Sequence, residues 1–181
     1  MLRWLLRRRL DAFERRWDYD LGYARDLLDA DPLALRRFGA LMGISVYRRD
    51  LPADVWFAVK ISGAMAEDCG PCTQLVVRMA EAAGVAPATL RAVLARDFSA
   101  MPEPVVLGVR FAQAVLRHDP EADELRRLVL QRWGKRGLVS LGFAVTSARL
   151  YPTLKYALGH GQACVRVTVG GAELPTLRRA A

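Results

Sequence analysis

Ile61-Ser62-Gly63-Ala64-Met65-Ala66-Glu67-Asp68-Cys69-Gly70-Pro71-Cys72 is the stretch from which the rest of the chain is read. Upstream of the cysteines, Val55, Val59, Ser62 and Ala66 share one helical face, with Trp56, Lys60 and Gly63 on its flank. A helix carrying small residues, opened at Leu51-Pro52, therefore leads into the thiol pair; a strand through Val55 to Ile61 is the weaker option. The two thiols stand three apart at a helix start, because Asp68 or Gly70 can cap and Pro71 tolerates the first turn. Unpaired backbone N–H groups and the positive end of the helix dipole favour thiolate. They can lower a thiol pKa from about 8.5 toward roughly 3.5 to 7.5. One of Cys69 and Cys72 then attacks and the other resolves, and a mixed disulfide or sulfenic acid collapses to an intramolecular bridge. Glu67 and Asp68 oppose thiolate formation if they lie close, and Glu67 is the nearest candidate for a proton acceptor.

Beyond the cysteines the pattern stays helical. Leu75, Val76, Met79, Ala80 and Ala83 form a buried stripe stopped by Gly84, and Pro87 begins a short helix to about Arg96. Val105, Val109, Ala112 and Leu116 recur until His118-Asp119-Pro120 interrupts. A segment with Glu121, Asp123 and Glu124 first and Arg126, Arg127 and Arg132 later suits a helix dipole. Residues 136–158 read as one long helix or one broken at Pro152. On the N-terminal side, Asp31-Pro32 caps a helix running to Gly43, and residues 2–17 form a basic amphipathic helix. Only Ala163 to Val169 alternates cleanly, which predicts a short strand or hairpin around Gly170-Gly171. The expected architecture is all-α with a small C-terminal appendage. It divides into a basic N-terminal helical arm at 1–17, a helical domain at 18–162 and an appendage at 163–181.

Composition narrows the classes. In 181 residues, 52% hydrophobic and 25% charged content excludes a disordered or collagen-like chain. The longest uncharged run, Gly137 to Ala148, falls short of the roughly 18 to 20 apolar residues of a membrane span. The charged start lacks the apolar core of a secretory signal, so a cytoplasmic location is expected. Basic residues number 27 against 19 acidic ones, for a formal net charge of +8, and six arginines fall within the first seventeen residues. That arm permits membrane-surface contact, but the more economical reading is a solvated face on a docking or oligomerisation helix. Without a fingerprint or aromatic-basic interleaving, no nucleic-acid partner is expected, and without a glycine-rich phosphate loop no organic cofactor is implied. Three cysteines are too few for a disulfide framework, so the close pair points to redox or metal chemistry.

Cys69-Gly70-Pro71-Cys72 is also the thioredoxin tetrapeptide, but a thioredoxin needs a strand before it and a sheet after it, where this chain is helically patterned. The run from Ile61 to Cys72, continuing into Ala80-Glu81-Ala82-Ala83-Gly84-Val85, the helical run from near Pro104 and the helices of 138–158 together resemble another family. This is the alkylhydroperoxidase D-like branch of the carboxymuconolactone decarboxylase superfamily, and the resemblance spans roughly residues 30–160. It implies an all-helical domain, a homo-oligomer, and thiol–disulfide or peroxidase chemistry at Cys69 and Cys72. The reactant would be a hydroperoxide or a protein or small-molecule disulfide, taken from an apolar pocket above the cysteines. In that family a histidine four residues after the second cysteine and a glutamate twelve before the first relay protons; here Val76 and Phe57 occupy those positions. Weak peroxidase activity is therefore expected, with disulfide exchange retained. The relay histidine follows the second cysteine, which favours Cys72 as attacker, whereas a thioredoxin-like motif favours Cys69. Two alternatives stay open: a noncatalytic helical protein that has lost the relay, and a zinc site built from Cys69, Cys72, His160 and Cys164.

Overall fold

The computed structural model describes residues 1–161 and 166–175. Among the described residues, nine helical segments precede a hairpin: α1 Leu2–Trp17, α2 Gly22–Ala30, α3 Pro32–Ala40, α4 Met42–Ser45, α5 Ala53–Ala66, α6 Gly70–Ala82, α7 Pro87–Ala95, α8 Glu103–Arg117 and α9 Glu121–Ala157, then β1 Arg166–Val169 and β2 Ala172–Pro175. The fold is thus all-α with a short C-terminal hairpin, as the periodicities predict. Asp31 caps α3 by accepting from the Leu33 N–H at 2.8 Å, with Pro32 behind it. That helix ends at Ala40, earlier than the expected Gly43, and α4 continues as a separate turn. Helix α2 was not anticipated from the sequence: its Leu21 N-cap offers no side-chain cap.

Helix α5 is the axis of the molecule. Ten of its residues, from Val55 to Met65, are buried, so it is apolar all round and not two-faced, as a central helix must be. It packs against α6, α7, α8 and α9. Glycines set these distances, Gly63 among the small residues read in the sequence and Gly108 beyond them. A Cβ at Gly63 would lie 2.6 Å from the Ala148 Cβ of α9, and one at Gly108 of α8 would lie 2.7 Å from Val55 Cγ1. Helix α9 runs through Pro152 unbroken; its interruption is at Gly134, where φ is 66°. The hairpin pairs Val167 with Leu174 and Val169 with Ala172, and buries Val167 and Val169 in the main core. Gln74 of α6 binds both backbone groups of Thr168, donating to its carbonyl at 3.1 Å and accepting from its N–H at 2.7 Å. The part of the expected strand over residues 163–165 lies outside the described residues.

A second hydrophobic cluster joins the N-terminal helices to the rest. Tyr19, Leu21, Tyr23, Ala24, Leu28 and Leu35 are buried there, and Leu6, Leu10, Phe13 and Trp17 of α1 pack onto it beside Leu75 and Leu154. The basic helix is therefore docked along one side while Leu2, Trp4 and Leu5 stay exposed.

Lys60 lies within the buried face of α5. Its ammonium donates to the Ser45 carbonyl at 2.7 Å and the Ser45 hydroxyl at 3.1 Å, and sits 4.4 Å from the Trp56 ring centroid. Burial pushes its pKa down from 10.5 to about 8. A lysine whose pKa falls on folding binds fewer protons in the native state, so stability rises with pH through that window. Between pH 8 and pH 10, wild type should gain about 2 kcal/mol relative to Lys60→Met in denaturant titrations. A flat difference across that range would contradict a buried, destabilised ammonium.

A buried dithiol site at the start of helix α6

The connection from α5 to α6 consists of Glu67, Asp68 and Cys69. Glu67 closes α5, Asp68 turns the chain at φ 50°, and Cys69 is the N-cap of α6. The cap is thus neither Asp68 nor Gly70, the expected candidates. Cys69 Sγ itself accepts from the Cys72 N–H at 3.3 Å, while the Cys69 carbonyl accepts from the Thr73 N–H at 3.0 Å and hydroxyl at 2.9 Å. Pro71 fits here because a first-turn residue has no intrahelical partner for the N–H that proline lacks. The result brings Cys69 and Cys72 together as a disulfide, with Cα atoms 5.3 Å apart.

The pair is enclosed. Cys69 has no exposed surface and Cys72 retains 6%, and both pack with Ala64. Among the described residues, depressions of about 250 and 340 Å³ are lined by Ala53, Ala83 and Thr89, and by Phe98, Val106 and Arg110, with neither cysteine in either lining. Val76 and Phe57 are packed into the core, Phe57 edge-on to Trp56 with ring centroids 4.9 Å apart. Glu67, the expected proton acceptor, gives its carboxylate to Arg149 at 2.6 Å.

What touches the pair came from elsewhere in the chain. Tyr19 Oη lies 3.7 Å from Cys72 Sγ, and Lys155 Nζ lies 3.4 Å from Tyr19 Oη. Lys155 is 2% exposed and also faces the Tyr19 and Tyr23 rings, 4.8 and 5.6 Å from their centroids. Burial, reinforced by the nearby Asp20 charge, holds the Tyr19 hydroxyl well above the ordinary tyrosine value, and burial does the same for Tyr23. Burial pulls Lys155 below the ordinary lysine value, with Asp20 opposing in part. Sequence reading missed both residues. One signal was available: lysine is rare here, and of Lys60, Lys135 and Lys155 only Lys135 is exposed.

His160 Nε2 meets the Asp26 carboxylate at 2.7 Å, and Cys164 lies outside the described residues. Among the described residues, no group of three or more histidine, cysteine, aspartate or glutamate side chains is arranged to hold a metal ion. Nor is any described helix long and apolar enough to cross a membrane. The fold and site define an all-helical protein with a dithiol pair built into a helix N-terminus. Comparison with known protein families, curated proteins and solved structures found no match, so the chemistry is read from this geometry.

Proposed function

We propose that this chain is a dithiol–disulfide redox protein of the alkylhydroperoxidase D-like type, in which Cys69 and Cys72 cycle between two thiols and one disulfide. The observation that carries this reading is the bonded pair at the first turn of α6, where helix N–H groups favour the thiolate of either sulfur. Near-complete burial favours a small reactant over a folded protein, since the residual exposure of the pair belongs to Cys72. With Val76 and Phe57 in place of a histidine and a glutamate, exchange with small disulfides outpaces peroxide reduction. A reducing compartment such as the cytoplasm would return the pair to thiols for the next cycle.

The same burial favours a second reading, a noncatalytic helical scaffold whose bridge only braces the α5–α6 corner. Turnover separates the two. With dithiothreitol as reductant, wild type should accelerate reduction of a small aromatic disulfide and reduce cumene hydroperoxide more slowly. Acceleration should vanish in Cys72→Ser and fall in Cys69→Ser, where dithiothreitol itself must resolve the mixed disulfide on Cys72. Wild-type turnover no faster than that of the doubly substituted protein would leave the scaffold reading standing alone.

A further inference from the structure

We infer that Tyr19 and Lys155 form the proton path of Cys72: the Tyr19 hydroxyl touches the sulfur, and Lys155, acting through that hydroxyl, holds the proton the thiol gives up. This rests on the redox reading above and assigns Cys72 as the attacking sulfur. Three distant parts of the chain make the path, namely the α1–α2 connection, α6 and α9. The spacings are 3.7 Å from Cys72 Sγ to Tyr19 Oη and 3.4 Å from Tyr19 Oη to Lys155 Nζ.

Lys155 is the observation that asks for an explanation. It is almost wholly buried, and among the described residues no carboxylate lies within ion-pair distance of it. A hydroxyl and two aromatic faces are weak compensation for a buried ammonium, and a methionine would fill the space without that cost. The missing anion is supplied when the disulfide is reduced, because a Cys72 thiolate then forms beside Tyr19. Tyr19 suits the middle of such a path: burial keeps its hydroxyl protonated, so it passes a proton on and does not carry the charge. Lys155 suits the far end, since burial favours its neutral amine until a thiolate appears nearby. The other titratable groups acting on this path are Asp20 beside Tyr19, Tyr23 of α2 and Tyr151 of α9.

In the reduced protein the Cys72 thiol proton moves to Tyr19 Oη as the Tyr19 hydroxyl proton moves to Lys155 Nζ, leaving thiolate, phenol and ammonium. The thiolate attacks one sulfur of a small disulfide, so a Cys72–substrate S–S bond forms and the substrate's S–S bond breaks. The departing thiolate takes its proton back from Lys155 through Tyr19. The Cys69 thiol then attacks Cys72 in the mixed disulfide, closing the Cys69–Cys72 bridge and expelling the second substrate thiol together with the Cys69 proton. Two protein thiols are oxidised and one substrate disulfide becomes two thiols. Tyr19 is thus a catalytic residue and Lys155 a positioning and proton-holding one.

The test is the pH profile of Cys72 alkylation by iodoacetamide in the fully reduced chain, followed by peptide mass mapping so that Cys69 and Cys164 are read separately. Lys155→Met should raise the Cys72 midpoint by about 1–2 units and Tyr19→Phe by about one unit. Glu67→Gln should leave it in place, because Arg149 already holds that carboxylate. Unmoved midpoints in both Lys155→Met and Tyr19→Phe overturn the path, as does a Glu67→Gln shift larger than either. If Lys155→Met does not fold, Tyr19→Phe decides alone, since it removes one oxygen from a buried ring. Formation of the Cys69–Cys72 bridge on oxidation is scored in the same samples. Unmoved midpoints with an intact bridge remove the proton path and leave the redox reading, whereas no bridge in wild type removes both.

Discussion

Cys69→Ser should still attack a small aromatic disulfide and stop at a mixed disulfide on Cys72, whereas Cys72→Ser should lose the attack. Both sulfurs share the helix N-terminus, so the dipole alone does not separate them. Contact and access do. Cys72 keeps the pair's residual exposure and touches Tyr19, while Cys69 is sealed and its sulfur already accepts the Cys72 N–H. A sulfur with no exposure reacts only through local opening; if that opening costs about 3 kcal/mol, labelling of Cys69 is about a hundredfold slower than that of Cys72. Peptide mapping after a short exposure to the disulfide should find about one equivalent on Cys72 in the Cys69→Ser protein. Equal labelling of the two positions, or preferential labelling of Cys69, would reverse the assignment.

Gly63→Val should cost about 3 kcal/mol or more in chemical denaturation. Even the first carbon added at Gly63 would stand 2.6 Å from Ala148 Cβ, and that atom is fixed to the α9 backbone and cannot rotate away. The two helices would have to separate where Gly63 meets Ala148 and the Val145 carbonyl. Ala148→Gly should recover part of the loss in a Gly63→Ala background, since it removes the atom in contact, and this coupling distinguishes a close crossing from general helix propensity. Gly39 makes the contrast. Nothing lies within 4 Å of its added carbon in α3, so Gly39→Ala should be neutral or stabilise by about 0.5–1 kcal/mol. A Gly63→Val protein as stable as wild type would mean that α5 and α9 do not cross here.

Where local chemistry decides structure, the sequence was a sufficient guide. Asp31-Pro32 sets the start of α3 through one side-chain hydrogen bond, Gly84 and His118 stand at helix ends in left-handed backbone, and Val167 and Val169 alternate into the core. Weaker local signals were ambiguous. Tyr23, Ala24, Leu27 and Leu28 carry helical spacing, but α2 is nine residues long and starts at an uncapped Leu21. Pro152 is the stronger helix breaker on paper, yet packing holds α9 through it and the chain kinks where Gly134 permits positive φ. The cysteine pair was legible because its members are three residues apart. Its surroundings were not, because Tyr19 and Lys155 are separated by 136 residues and meet only when α1, α2 and α9 close on α6. Composition held a trace of them: in a chain with 24 arginines, two of three lysines are buried, and an ammonium, unlike a guanidinium, can give up its proton when buried.

The most direct measurement is a redox titration of the native protein in thiol–disulfide buffers, read by thiol mass mapping and near-ultraviolet circular dichroism together. Opening a four-residue loop removes about 2 kcal/mol of chain-entropy stabilisation, small against the roughly 5–15 kcal/mol that holds a typical domain, so the reduced form should stay folded. The titration should convert Cys69 and Cys72 together between two free thiols and one bridge, reversibly and without loss of the native aromatic signal. A bridge that opens only when the aromatic signal collapses, or a Cys72 partnered by Cys164 in place of Cys69, would contradict a redox pair at the head of α6.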